Sequence, residues 1–208
     1  MTVLSINSMY PLPTFSYERA LIAQGFRMIV GVDEVGCGAL AGPVMAGAVV
    51  LPVDSRLGGI KDSKLLSAQQ REALYPMIVD RAHTWAIGTA SVEEILNLGL
   101  RPATLLAMRR AVEQISGADF VLVDAWKIPD VHLPQQNVIR GDRKIKSIAA
   151  ASILAKVTRD RLMDKYARKF PQYGFDVHKG YATAVHRAAI KKHGPCEIHR
   201  MGYKMFQL

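Results

Sequence analysis

Four acidic residues sit at the ends of apolar runs in this chain, and their types point to a hard metal ion. Asp33 and Glu34 follow the apolar run Met28–Val32. Neighbours on a strand point to opposite faces, so an acidic pair alone reads as a solvated strand end. Here Gly36-Cys37-Gly38 follows at once. Backbone without side chains can approach a ligand closely and offer it N–H groups. Asp124 ends the run Phe120–Val123, and Asp142 follows Gln136–Ile139. Each of these alone is an ordinary turn or pre-helix aspartate. As a set, four carboxylates repel one another unless a cation lies among them, and hard oxygen ligands suit Mg²⁺ or Mn²⁺.

The rest of the chain has the opposite charge. Its 208 residues carry 27 Lys and Arg against 18 Asp and Glu, a formal charge of +9. Such an excess favours a polyanionic partner, nucleic acid before a membrane surface. Ions about 3.5–4 Å apart can drive an in-line displacement at phosphorus, and cations neutralise the substrate phosphates. The cationic candidates are Lys61, Lys64, Arg140, Arg143, Lys144, Lys156, Arg159 and the tail from Lys179 to Arg200. For any one of them a solvated face is the ordinary reading. Cys37 and Cys196 lie far apart, with no disulfide or zinc spacing, so a reduced, cytoplasmic setting is expected. No signal peptide is expected. Ala39–Val53 is too short and too broken by Gly and Pro to span a bilayer, so no membrane role is expected.

The elements that must position these residues follow from periodicity. Residues 1–27 read as a lead-in, flexible or loosely docked, with a short helix over Ser16–Ala23. Strands are expected over Met28–Val32, Pro43–Leu51, His83–Ser91, Phe120–Val123 and Gln136–Ile139. Helices are expected over Ala68–Arg81 with Ser67 as N-cap, Val92–Leu98, Pro102–Ser116 and Ser147–Lys169 with Ser147 as cap. Small residues in the early turns of the last helix permit close approach to a sheet. Phe175–Leu208 reads as loop-rich and basic. The pattern is one α/β domain, a mixed sheet with helices on its faces.

At this point the chain resembles the bacterial ribonuclease HII family. Gly31-Val32-Asp33-Glu34-Val35-Gly36-Cys37-Gly38 with Leu40-Ala41-Gly42-Pro43 is similar to its opening signature. Asp62-Ser63-Lys64 with Leu66-Ser67, Leu122-Val123-Asp124, Gly141-Asp142, Ser147 through Asp160, Phe170 through Phe175 and His178-Lys179-Gly180-Tyr181 follow in order. Several separate motifs in one order are far more specific than one short match.

The resemblance implies a ribonuclease H-like α/β fold, a five-stranded mixed sheet flanked by helices with a small helical C-terminal part. It implies a catalytic domain over 28–208. It implies that Asp33, Glu34, Asp124 and Asp142 are the catalytic and metal-binding carboxylates for Mg²⁺ or Mn²⁺. Gly36, Cys37 and Gly38 would read the ribose 2′-OH through backbone, Tyr181 would pack on the neighbouring deoxyribose, and Lys64 would contact substrate. The implied partners are RNA–DNA hybrids and ribonucleotide-containing duplex DNA, and the implied task is ribonucleotide excision, with the enzyme expected as a monomer.

Two departures stand out. Relatives usually carry Arg or Lys between the two glycines, where this chain has Cys37, so weaker substrate binding or altered metal preference is expected. Ala125 and Trp126 follow Asp124 where many relatives have a glycine and then a small or polar residue. Trp126 reads equally as a base-stacking residue or a gap filler. The rival readings are a ribonuclease HIII, for which the residues before Met28 leave no room for a large extension, and a non-catalytic hybrid-binding module.

Overall fold

The computed structural model describes residues 12–203. At its centre is a five-stranded sheet in the order β3-β2-β1-β4-β5. The strands are β1 (Ile29–Val35), β2 (Val44–Val50), β3 (Thr84–Ala90), β4 (Phe120–Asp124) and β5 (Gln135–Val138). The first three form an antiparallel meander, β4 runs parallel to β1, and β5 runs parallel to β4. The sheet is therefore mixed, as expected. The helices are α1 (Ser16–Ala23), α2 (Ala68–Arg81), α3 (Val92–Leu98), α4 (Leu100–Glu113), α5 (Lys146–Lys169), α6 (Phe175–His178) and α7 (Ala184–His193).

Strand alternation divides the core into two layers. Val30, Val32, Ala46 and Ala48 face α4, where Ala103, Ala107, Met108 and Ala111 cover them. On the other face Val49 and Leu51 meet Ala150, Ala151, Ile153 and Leu154 of α5, together with Ile78 of α2. A side chain at Gly47 would collide with the Ala151 backbone, and one at Gly31 with Ser147. The small residues at the start of α5 therefore let helix backbone rest directly on sheet backbone. At 24 residues and about 1.5 Å per residue, α5 reaches from the core to the C-terminal part.

α2 carries the expected cap, with Ser67 accepting from Gln70 and the Gln70 side chain returning to the Ser67 N–H. The start of α5 corrects the sequence reading. Ser147 lies inside the helix and Ile145 at the cap position offers no side-chain bond. The Ser147 N–H instead donates to the buried Glu18 carboxylate at 3.0 Å, from a residue 129 positions earlier. Residues 12–27 are thus not a loose lead-in. Phe15 and Leu21 are buried, and the Thr14 backbone bonds to Lys144 and Lys146. The expectation for residues 1–11 lies outside the described residues.

The C-terminal part has its own core of Leu40, Met163, Tyr173, Phe175, Ile190 and Ile198. Its composition reads as loop, yet it contains α7, capped by Thr183, whose hydroxyl accepts from the His186 N–H at 3.2 Å. Two short bridges, Ala39 to Tyr181 and Ala41 to His199, tie it to the glycine-rich turn after β1.

Candidate active site

The topology brings the four expected carboxylates to one end of the sheet. Asp33 and Glu34 lie inside β1, which runs three residues further than the apolar pattern suggests. The pairing of Val32 with Val123 places Asp33 next to Asp124, the last residue of β4. β5 beside β4 leads into a 3-10 turn, Gly141–Arg143, that carries Asp142. The turn is anchored to its neighbour, since the Gly141 N–H donates to Asp124 Oδ1 at 2.8 Å.

The electrostatics record this convergence. Burial, then the charges of Glu34 and Asp124, push the Asp33 carboxyl well above the ordinary range, against a hydrogen bond from Ser152. Burial and Asp124 raise Glu34 as well. Asp142 is raised to about 6 by burial, Asp62 and Asp124, with Lys64 and Arg143 opposing. Burial acts against the charge on Lys64, but Asp33, Asp62, Asp142 and Glu34 outweigh it and raise its pKa. Lys64 therefore sits as a cation at the edge of an acidic cluster. Asp62 holds it there by accepting from the Lys64 N–H at 2.9 Å and from Arg143 Nε at 3.2 Å.

Among the described residues, no three His, Cys, Asp or Glu side chains form a group that could hold an ion as they stand. The donor set nonetheless fits a hard divalent cation. It is all carboxylate oxygen, and its mutual repulsion is an unmet demand for positive charge that Lys64 satisfies only in part.

The glycine-rich turn beside this cluster is built by two buried arginines. Arg159 donates to the carbonyls of Pro43, Ala41 and Lys179, at 3.0, 2.9 and 2.9 Å. Arg200 donates to those of Gly42 and Cys37, at 2.9 and 3.2 Å. Gly36 has φ +95° and its missing side chain is where the Arg159 guanidinium lies, so only glycine fits. A side chain on Gly38 would meet no atom within 4 Å. The fold requires glycine at 36, whereas at 38 it keeps a surface open. The Cys37 thiol turns inward, 3.4 Å from the Thr104 hydroxyl of α4.

Tyr181 lies across this turn. Its ring has Lys156 Nζ at 5.3 Å and the Arg159 guanidinium at 5.4 Å. A chain of neutral histidines holds its backbone. The Tyr181 carbonyl can only accept, so His186 Nδ1 donates to it at 2.9 Å. His186 Nε2 is then the acceptor from His199 Nε2 at 3.1 Å, and His199 Nδ1 accepts from the Cys196 N–H at 2.9 Å. Burial first, and then the neighbouring histidines, lower the His186 pKa to about 4.

The structure thus gathers Asp33, Glu34, Asp124, Asp142, Lys64, Gly36, Cys37, Gly38 and Tyr181 around one end of the sheet. Arg159 and Arg200, grouped by sequence with the phosphate-binding cations, are instead 0% and 1% exposed and hold carbonyls. Sequence reasoning missed Ser152, whose hydroxyl bonds Asp33 and shares a 2.8 Å hydrogen bond with Ser63 Oγ, which can donate to it. Its signal was a polar residue inside the apolar stretch Ala149–Leu154, which must find a partner when buried.

Comparison with known proteins agrees with this geometry. A family model described as Ribonuclease HII matches residues 30–206. A ribonuclease HII of Syntrophotalea carbinolica is 51% identical over 189 residues, 90% of each chain. The crystal structure of ribonuclease H2 from Pyrococcus horikoshii OT3 superposes with TM-score 0.70 at 26% identity, over 87% of this chain and 96% of that one. The Mn²⁺ complex of Bst-RNase HIII superposes with TM-score 0.68 at 18% identity, over 86% and 68%, a likeness of fold.

Proposed function

Because the chain belongs to the ribonuclease HII family, we propose that it cuts duplex DNA on the 5′ side of embedded ribonucleotides, at Asp33, Glu34, Asp124 and Asp142. The chain is an endonuclease of the ribonuclease H type, a phosphodiester hydrolase of RNA–DNA hybrids. The family depends on divalent metal. No helix among the described residues is long and apolar enough to cross a membrane. The reading places the enzyme in the cytoplasm, working as a monomer.

Mg²⁺ or Mn²⁺, held by the four carboxylates, would stabilise charge on the reacting phosphodiester and ready a water for attack. The chain's own residues supply positioning. Ser152 and the Glu34 N–H, the latter at 2.9 Å, bond the Asp33 carboxylate and fix it in the strand. Gly141 does the same for Asp124. Lys64 offers a cation to the phosphate that enters the acidic cluster. The open backbone at Gly38 admits a sugar edge, where a 2′-OH distinguishes RNA from DNA. Tyr181, fixed by its bridge to Ala39, offers a flat face to the next sugar. Positioning and electrostatics carry most of a phosphoryl transfer, so little covalent work is asked of the protein.

The observation that supports this reading best is the convergence of Asp33, Glu34 and Asp142, each raised by burial and by neighbouring carboxylates, with Asp124 beside a glycine with open space around it. Product mapping on a duplex with one embedded ribonucleotide, with Mg²⁺ and with Mn²⁺, tests it. One cut 5′ to the ribonucleotide, leaving 3′-hydroxyl and 5′-phosphate ends, is the expected result. Cutting confined to long hybrids would remove the junction-reading role of the glycine turn. Binding with no cut under either ion would favour a hybrid-binding module.

A further inference from the structure

Trp126 has no role in the site described so far, yet it lies two residues beyond Asp124 and 42% exposed. Ala125 between them has φ +58°, a left-handed conformation that a non-glycine residue adopts at a cost. The kink is anchored on both sides, by the Ala125 N–H on the Val138 carbonyl at 3.2 Å and by Asn137 Nδ2 on the Ala125 carbonyl at 3.0 Å. The Arg101 guanidinium lies 4.5 Å from the Trp126 ring centroid, a stacked pair at the surface. Arg101 stands on the first turn of α4, one turn before Thr104, which touches Cys37. The pair therefore bridges the catalytic strand end and the helix beneath the glycine turn. Beside it opens a cleft of about 530 Å³ lined by Arg101, Leu98, Pro102, Leu105 and the ion pair of Arg109 with Asp130, 3.1 Å apart.

A gap filler would be covered, and this indole is not. Resting on the proposed function, we propose that Trp126 and Arg101 form a platform for one backbone nucleotide of the bound duplex next to the cut, the indole against the sugar and the guanidinium on its phosphate. Two features argue for nucleic acid here. The platform is continuous with the four carboxylates through Asp124. It also presents a cation whose aliphatic and planar surfaces are already ordered on the ring, so little freedom is lost when a phosphate docks. Contacts of this kind position a strand without reading its bases.

Tryptophan emission reads the platform directly. The chain has two tryptophans, and Trp85 on β3, edge-on to Tyr75, is removed by Trp85→Phe. In that background, titration with ribonucleotide-containing duplex, the divalent ion withheld, is expected to quench Trp126 saturably. Trp126→Ala should raise KM for cleavage by about tenfold, with kcat changed by less than about twofold. Trp126→Phe should keep most of the affinity. Arg101→Ala should reduce the salt slope of binding by about one phosphate. Trp126 and Arg101 are both exposed, so melting temperatures within about 2 °C of the Trp85→Phe background establish that their variants keep the fold. If the parent chain binds the duplex while Trp126 emission is unmoved and Trp126→Ala keeps the parent KM, the platform is wrong and the proposed function stands. A parent chain that neither binds nor cuts the duplex overturns both.

Discussion

The guanidinium of Arg159 occupies the space that a side chain on Gly36 would need. A buried cation and an absent side chain thus define one turn between them, and the turn is a wall of the proposed site. Three carbonyls from two distant segments converge on Arg159, so the residue joins the glycine turn to the segment that carries Tyr181.

Arg159→Ala would leave those carbonyls without their Arg159 donors, two of them in bonds that are fully buried. The expected loss is on the order of 3 kcal/mol or more of stability, read as the chemical-denaturation midpoint. Arg159→Lys should recover little of it, since an ammonium cannot serve three acceptors in the geometry of a planar fork. A lysine variant as stable as the parent would refute this role.

The two glycines should separate cleanly. Gly36→Ala meets both an unfavourable φ and a collision, so it should destabilise the chain and abolish cutting together. Gly38→Ala meets no neighbouring atom, so its melting temperature should stay within about 2 °C of the parent. Its KM should nevertheless rise, because the methyl group stands where substrate backbone approaches. Gly38→Ala with the parent's KM would show that this surface is not used.

The Cys37 thiol faces Thr104, so in the proposed site only its backbone would meet substrate. Cys37→Arg, with its longer side chain turned to solvent, is expected to lower KM by adding a cation beside the phosphates. Unchanged kinetics in that variant would remove the role assigned to a basic residue at this position.

Acid should weaken the histidine chain behind Tyr181. The His186 pKa falls from an ordinary 6.5 to about 4 in the fold. Between those values the unfolded chain binds the extra proton and the fold does not, so this contribution is full above about pH 6.5. It is lost as pH falls towards about 4. The raised carboxylates pull the other way, because the fold holds their protons more tightly. The informative quantity is therefore the difference between the parent and His186→Gln. The denaturation midpoints should converge as pH drops from 7.5 to 5; a constant gap across that range would contradict the assignment of a neutral, buried His186.

Much of this architecture is legible in the sequence, for reasons that can be assigned residue by residue. α2 and α3 have their expected bounds because Ser67 and Ser91 are side-chain caps that local sequence displays, whereas α1 keeps its bounds without a side-chain cap. α4 begins at Leu100 and not at Pro102, because a proline is tolerated in the first turn, where its missing N–H has no helical partner. The start of α5 is not legible locally, because its donor is satisfied by Glu18, a tertiary contact that no local pattern encodes. α7 is hidden in the sequence because the basic residues of its last turn, Lys191, Lys192 and His193, suit a phosphate-binding tail as well as a helix C-terminus. The four carboxylates are legible because each follows an apolar run. The role of the buried arginines is not, because sequence shows charge and not the carbonyls that meet it.

The central claim is that Asp33, Glu34, Asp124 and Asp142 act as one metal-dependent site. Its most direct test is single-turnover cleavage of a duplex with one embedded ribonucleotide by Asp124→Asn, measured beside the affinity for the same duplex. The amide keeps the shape and can still accept from Gly141, but it removes a charge from the cluster. The expected result is a loss in cleavage rate of on the order of a hundredfold or more with duplex affinity within about threefold of the parent. Cleavage at the parent's rate would contradict it.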